Sequence, residues 1–409
     1  MNTYFSLNDT IYDIVTRHPK AKDFLISNGF EPLKNPLAFK TMAKKVSLKT
    51  ALSLQKKNPK LFEERLLTFL EGEYNTIDTD LSKKKEARGD IHIEGVLPCP
   101  IRLPLMENFT TWLEQKQKEV NYTISYNLKS ANLGLDDLIE KVKSKNPDLL
   151  PDLLISAGYE LFFDKELMGQ YLKDDLFKAP KTNFNSDFAN EKIDLRDPLN
   201  KYLIIGVVPA VFIVNKKALG NRSIPKTWDD LLSEDFSDSV AIPMGDLDMF
   251  NALIISLYAR YGLCGIKRLA RSYKKSLHPA QMVKNKGSAP SLPAVSITPY
   301  FFSQMVNSDD QAVICPQDGA IISPIFMMSK SSQKERVTPL VDYFISKEVG
   351  EIFSSNGKFP STNPHVDNHL DKDYKFQWIG WDFIHNTDIG ALLKELESLF
   401  NEEIGLSKS

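Results

Sequence analysis

Apolar residues recur along this chain with two different periods, and the change from one to the other divides it. Over residues 1–72 the spacing is helical throughout. Ile11, Ile14 and Val15 share one face of a short helix with Asn8 or Asp9 as its cap. Pro19 opens a second segment with Phe24 and Leu25 inward, closed by Gly29. Ser47 precedes Leu48, Ala51 and Leu52, and Asn58-Pro59 starts a helix carrying Leu61, Phe62, Leu66, Leu67, Phe69 and Leu70. Residues 73–90 then turn polar around Lys83-Lys84-Lys85 and Gly89, as a solvated linker does.

After Asp90, short β-branched or apolar runs alternate with amphipathic stretches, the signature of an α/β fold. The pattern predicts strands over 91–97, 121–127, 152–156, 203–215 (interrupted at Pro209), 239–242, 294–297 and 312–315. Helices are predicted over 105–120, 136–143, 249–261, 337–344, 347–355 and 388–403.

A chain of 409 residues exceeds what one hydrophobic core fills, so two or three domains are expected. With 51 basic and 53 acidic residues, the charge balance makes no case for nucleic acid. No window approaches the roughly 18 apolar residues of a spanning helix, so no membrane insertion is expected. Met1 to Thr16 lack a basic start, an apolar core and a small-residue cleavage site. Cys99, Cys264 and Cys315 are odd in number and far apart, which favours a reducing compartment. A cytoplasmic protein is therefore expected. Walker A, dinucleotide-glycine, HExxH and Cys/His patterns are all missing, so neither a cofactor nor a metal is expected.

Three stretches carry a family resemblance. One is Val208-Pro209-Ala210-Val211-Phe212-Ile213-Val214-Asn215-Lys216-Lys217 followed by Ile224-Pro225-Lys226-Thr227-Trp228-Asp229-Asp230-Leu231-Leu232. Another is Gln317-Asp318-Gly319-Ala320 through Pro324, and the third runs from Phe344-Ile345-Ser346-Lys347-Glu348 to Gly357-Lys358-Phe359-Pro360-Ser361. Together they resemble the type II periplasmic binding proteins, in the branch of iron(III), thiamine and polyamine receptors of ABC transporters. The resemblance implies an α/β, two-lobed Venus-flytrap fold preceded by a small all-α domain. Lobe 1 would take residues 91–205 plus 325–409, and lobe 2 residues 206–324. Residues Thr10 to Val15, Phe24 to Phe30 and Pro32 to Pro36 are similar to a small helical domain of unknown function found in anaerobes. Pro32 and Asn35 stand where redox-associated relatives carry a cysteine pair, so a dithiol role is not expected.

Such a fold captures a small molecule or metal complex between its lobes by hinge closure, with no catalytic residues. The loops that follow predicted strands would line the cleft. They are Pro98-Cys99-Pro100 and Ser156-Ala157-Gly158 in the first lobe. In the second they are Met244-Gly245-Asp246 with Asp248-Met249, and Thr298-Pro299-Tyr300-Phe301; Asp318, Gly319 and Ser323 sit near the return crossover. Asp248 could pair with a cationic ligand or cap the helix that follows. Cys264 is expected in the core, and Trp378 and Trp381 against the terminal segment. The resemblance implies an ABC transporter as partner; the N-terminal domain would dock another protein or act in sensing. Two alternatives stay open. Cys99 between two prolines would serve an enzyme on this fold as nucleophile. Cys99, Cys315 and Met244 would serve a metal-handling protein as soft ligands. Ferric iron is disfavoured, because Tyr300-Phe301-Phe302 offers one phenol where iron receptors carry adjacent tyrosines.

Overall fold

A computed structural model describes the chain except for residues 1–3, 20, 28–29, 55–58, 60–61, 64–65, 67–69, 71–87, 131–134, 160, 174, 245–246, 286, 372 and 408–409. It divides into two compact units, residues 1–85 with 132–136, and the remainder. The linker expected at 73–90 lies outside the described residues up to 87, as do Gly29, Leu61, Leu67 and Phe69.

The first unit is helical: α1 (Ile11–Arg17), α2 (Ala21–Ser27), α3 (Pro36–Thr41) and α4 (Leu48–Leu54). Ile11, Ile14, Phe24, Leu25, Leu48 and Leu52 are all buried in one core, as their helical spacing requires. Thr10 caps α1, its hydroxyl accepting the Asp13 N–H at 3.1 Å. That corrects the expectation of Asn8 or Asp9. The Asp9 carboxylate is instead taken by the Ser6 N–H and the Arg17 guanidinium, which hold it below the usual carboxylate range against the opposing effect of burial.

Among the described residues the second unit has eleven strands. They are β1 (Ile91–Leu97), β2 (Ile124–Ser130), β3 (Leu153–Ala157), β4 (Phe177–Lys178), β5 (Leu203–Asn215), β6 (Val240–Ile242), β7 (Tyr273–Ser276), β8 (Val295–Pro299), β9 (Gln311–Ile314), β10 (Ala320–Lys330) and β11 (Phe376–Gln377). The main order is β2-β1-β3-β10-β5-β8-β6-β7. At one end β2, β1 and β3 run parallel; at the other, β8, β6 and β7 run parallel. The long antiparallel pair β5 and β10 joins them. This is the two-lobed architecture, with two strands passing through both lobes.

Helix α5 (Cys99–Glu119) starts at Cys99 rather than at Leu105. Proline is tolerated in a first turn, whose N–H groups have no helical acceptor, so Pro98-Cys99-Pro100 opens the helix instead of preceding it. Helices α6 (Leu247–Tyr261), α7 (Leu263–Ser272), α8 (Lys334–Phe344) and α9 (Ile389–Ser407) complete the part that matters for the site. Cys264, expected in the core, is exposed on α7. Its neighbours Gly265, Ile266 and Leu269 form the buried face instead.

Pro209 does not interrupt β5. Thr362 donates to Ile205 O and the Val207 N–H to Pro360 O, so alternate residues of β5 bond the segment 360–362. The next group on that edge would be the N–H of residue 209, beyond the end of that segment. On the following residue, Ala210, the pairing with β8 begins. Proline therefore occupies the rung that needs no donor.

Candidate functional site

The predicted cleft residues lie at the ends of β1, β3, β6 and β8, although Ser156 and Ala157 are the last residues of β3 and Thr298 and Pro299 the last of β8 rather than loop. The structure brings two of these strand ends into contact. Gly158, with φ +84°, packs so closely on the start of α6 that a Cβ there would lie 2.5 Å from Asp248 Oδ1 and 3.1 Å from Asp248 Cα. Asp248 is in the first turn of α6, where its charge complements the helix dipole. Met249 beside it is buried, as are Met244 and Pro98, while Pro100 is partly exposed. Gly245 and Asp246 lie outside the described residues, and so does the side chain of Cys99, on which the enzyme alternative rested.

The hinge itself is rich in buried polar atoms. Ser156, Thr298 and Ser323 are each at most 1% exposed. Ser156 Oγ has only a long bond to the Ala157 carbonyl, at 3.4 Å. Among the described residues Thr298 Oγ1 and Ser323 Oγ have no hydrogen-bond partner, and neither have Tyr159 OH and Trp378 Nε1. Ser323 pairs with Val208 and Thr298 with Val211, so they flank the point where β5 passes from one lobe to the other. Gly158 N donates to Pro324 O at 2.9 Å, which sets Tyr159 and Ser323 beside the same rung. Trp378 stacks on Tyr159 with ring centroids 6.1 Å apart. Burial pushes the Tyr159 phenol well above its ordinary range, so it stays protonated, a donor as well as an acceptor. A buried polar group left unpaired costs about 1–3 kcal/mol, and a solute supplying the missing partners would recover that. Tyr159 and Trp378 were not among the predicted site residues. The place of Tyr159, next to a glycine at a strand end, is the signal that could have found it.

Asp318 and Gly319 serve a different purpose. The Asp318 carboxylate accepts the Trp228 N–H and a bond from Arg260 at 2.8 Å, and Gly319 O accepts Trp228 Nε1 at 2.9 Å. They hold the fully buried Trp228 in place, and both oxygens of the Asp318 carboxylate are engaged in doing so. Tyr300 and Phe301 begin a single helical turn after β8. Tyr300 lies 6.3 Å from Tyr374, and Phe301 packs edge-on to Phe302 at 5.1 Å.

Behind them His278 packs edge-on against Phe302 and accepts the Ala280 N–H through Nδ1. Burial pushes its imidazole down to about 4. The unfolded chain takes up this proton first, near pH 6.5, so stability is whole above that pH and falls below it. Between pH 6.5 and 5 the unfolding free energy should drop by about 2 kcal/mol from this residue. Urea titrations at the two pH values check it. His278→Asn, which keeps an acceptor, should remove most of the drop; an unchanged slope would refute the assignment.

Among the described residues no three His, Cys, Asp or Glu side chains cluster as metal ligands. Cys315 lies just past β9 with its residue exposed; partial desolvation of the thiol and the charge of Asp371 push it up, against a hydrogen bond with Tyr374 that lowers it.

Residues 148–387 match the family described as bacterial extracellular solute-binding protein, and residues 5–62 match a domain of unknown function. Among curated proteins none matches. Of the solved structures, the ferric binding protein from Campylobacter jejuni is similar at 15% identity and a TM-score of 0.52, over 77% of this chain and 99% of its own. The iron- and citrate-bound protein of Trichodesmium is similar at 14% identity and a TM-score of 0.53, over 76% and 98%. The periplasmic binding protein AfuA from Actinobacillus pleuropneumoniae, with fructose-6-phosphate bound, is similar at 18% identity and a TM-score of 0.50, over 77% and 98%. At such identities the structures establish the fold. The family match overturns the expectation of a cytoplasmic protein, because this is an extracellular family. That expectation rested on what Met1–Thr16 lack and on three lone cysteines, and neither observation fixes a compartment.

Proposed function

The chain belongs to the bacterial extracellular solute-binding proteins, and from that premise we propose that its solute is a hydroxylated organic molecule. Proteins of this family bind a solute in the cleft between two lobes, are not enzymes, and work with ABC transporter permeases. The reading of the solute rests on one observation: the buried, unpartnered Tyr159 OH, Ser323 Oγ, Thr298 Oγ1 and Trp378 Nε1 at the hinge. The three hydroxyls both donate and accept and the indole N–H donates, which suits hydroxyls, and the Tyr159–Trp378 pair offers an aromatic wall. A sugar or sugar phosphate has this chemistry, as does the ligand of AfuA.

The contacting residues would be Tyr159, Thr298, Ser323 and Trp378, with Gly158 and Asp248 meeting as the lobes shut. Lobe 1 would comprise residues 91–205 and 325–409, and lobe 2 residues 206–324. The N-terminal domain, residues 1–72, would dock a partner protein; Leu37 and Leu54 stand 71% and 78% exposed on it. The test is calorimetric titration of the purified chain with hexoses, hexose phosphates and ferric citrate. A hexose or hexose phosphate should bind, and Tyr159→Phe and Ser323→Ala should each weaken it by about tenfold, the loss of one buried hydrogen bond. Binding of ferric citrate alone, or sugar binding indifferent to both substitutions, would overturn the reading.

A further inference from the structure

The cleft follows the C-terminal ends of β1 and β3. At the opposite end of the same strands a cavity of about 280 Å³ opens, lined by Arg88, Asp148, Asp152, Lys330, Ser332 and Gln333 among others. At ~30 Å³ per liquid water this is room for about nine waters, more than structural hydration of one polar group needs.

Its floor is a buried ammonium. The Lys330 side chain is 7% exposed, and Nζ donates to Leu150 O at 2.7 Å. Its nearest carboxylate oxygen, Asp152 Oδ1, is 3.7 Å away, an ion-pair distance but too long for a good hydrogen bond. An ammonium carries three N–H donors, so capacity remains. Asp152 is equally buried and its other oxygen already accepts the His92 N–H at 2.9 Å. Arg88 donates to Leu149 O and Leu150 O at 3.0 and 2.6 Å, two of its five donors. Helix α8 starts beside the same cavity, where Ser332 and Gln333 of the turn that leads into it form part of the lining. Asp148 stands exposed on the rim, close enough to act on the charge of Lys330. Desolvation lowers the Lys330 ammonium below the usual lysine range despite both aspartates, as expected where the attraction available does not match the cost of burial.

We propose that this cavity is a second binding site, for a small zwitterion with one carboxylate and one ammonium group, of which a free α-amino acid is the simplest. The carboxylate lies against Lys330, Arg88 and the start of α8. The ammonium lies against Asp148 at the rim. A pure anion would meet Asp148 and Asp152, and a pure cation would meet Lys330 and Arg88; only a molecule with both ends matches both walls.

The experiment is titration of the full chain with glycine and L-alanine, and with acetate and methylammonium as the two half-molecules. The amino acids should bind, with each half-molecule at least tenfold weaker. Lys330→Met and Asp148→Asn should each lower amino-acid affinity at least tenfold. Because Lys330 is buried and its loss could unfold the lobe, Asp148→Asn, on the exposed rim, is the deciding variant. No binding by any probe would leave the cavity to water and overturn the proposal. So would acetate binding as tightly as glycine, which would mean an anion site. Amino-acid binding unchanged by Asp148→Asn would place the molecule elsewhere, in the cleft, with the same result.

Discussion

Gly158→Ala will weaken solute binding by about tenfold and Gly158→Val by about a hundredfold, while both variants remain folded. Two effects act at this position, and they separate. Gly158 has φ +84°, a conformation costly for any residue with a Cβ, by about 1 kcal/mol for alanine. That cost exists whether the lobes are open or shut, so it lowers stability without changing affinity. The second effect exists only when the lobes meet. A Cβ would lie 2.5 Å from Asp248 Oδ1, which can rotate away, but also 3.1 Å from Asp248 Cα, which cannot. The start of α6 must then retreat, and solute must pay for closure against that push. Calorimetric titration of the two variants, beside a urea titration of each, reads the effects apart. Asp248→Ala added to Gly158→Ala should restore part of the affinity, because it removes the side-chain overlap and leaves the backbone one. Lower stability with unchanged affinity would show that the contact has no part in closure.

Gly95→Ala will destabilise the second unit by about 3 kcal/mol or more, and Gly95→Val will leave no folded protein. Gly95 lies in β1, between Leu128 of β2 and Ile155 of β3. A Cβ on it would fall 1.8 Å from Ile155 O and 2.7 Å from Ile155 C. Both obstacles are backbone, so no rotamer change relieves them. β1 and β3 would have to separate, undoing a ladder in the middle of the first lobe. Against a total stability of about 5–15 kcal/mol, that loss is decisive. An unfolding free energy from urea titration of Gly95→Ala within about 1 kcal/mol of the parent would show that the strands can yield there.

Much of the architecture was legible because hydrophobic period is a local property. The run from Leu203 to Asn215 is apolar at nearly every position, as a strand buried on both faces must be, and all thirteen of its residues are buried. Elements without such a pattern escaped. Strand β7 reads Tyr273-Lys274-Lys275-Ser276, because it is a sheet edge where lysines discourage further pairing and no apolar alternation is needed. Helix α7 carries Lys267, Arg268 and Arg271 around a narrow buried face, and its cysteine points outward. The prolines at 98 and 209 read as interruptions, yet one opens a helix and the other fills a rung with no acceptor.

The candidate site divides in the same way. The alternation of strands with helices was enough to say that Gly158, Met244, Thr298 and Pro299 follow or end strands, and hence where a cleft would form. It could not say that Gly158 meets Asp248, ninety residues on, since that contact depends on how far the lobes have turned about β5 and β10. Nor could it separate Ser323, whose hydroxyl finds no partner among the described residues, from Asp318, whose carboxylate is engaged by Trp228 and Arg260. Both are polar residues near one crossover. The sequence by itself determined the classes of element, their order and the family they compose, because those follow from the periodicity of burial along the chain. Which polar atoms are left for a solute was decided only by the tertiary structure, because hydrogen-bond satisfaction depends on neighbours brought close from distant parts of the chain.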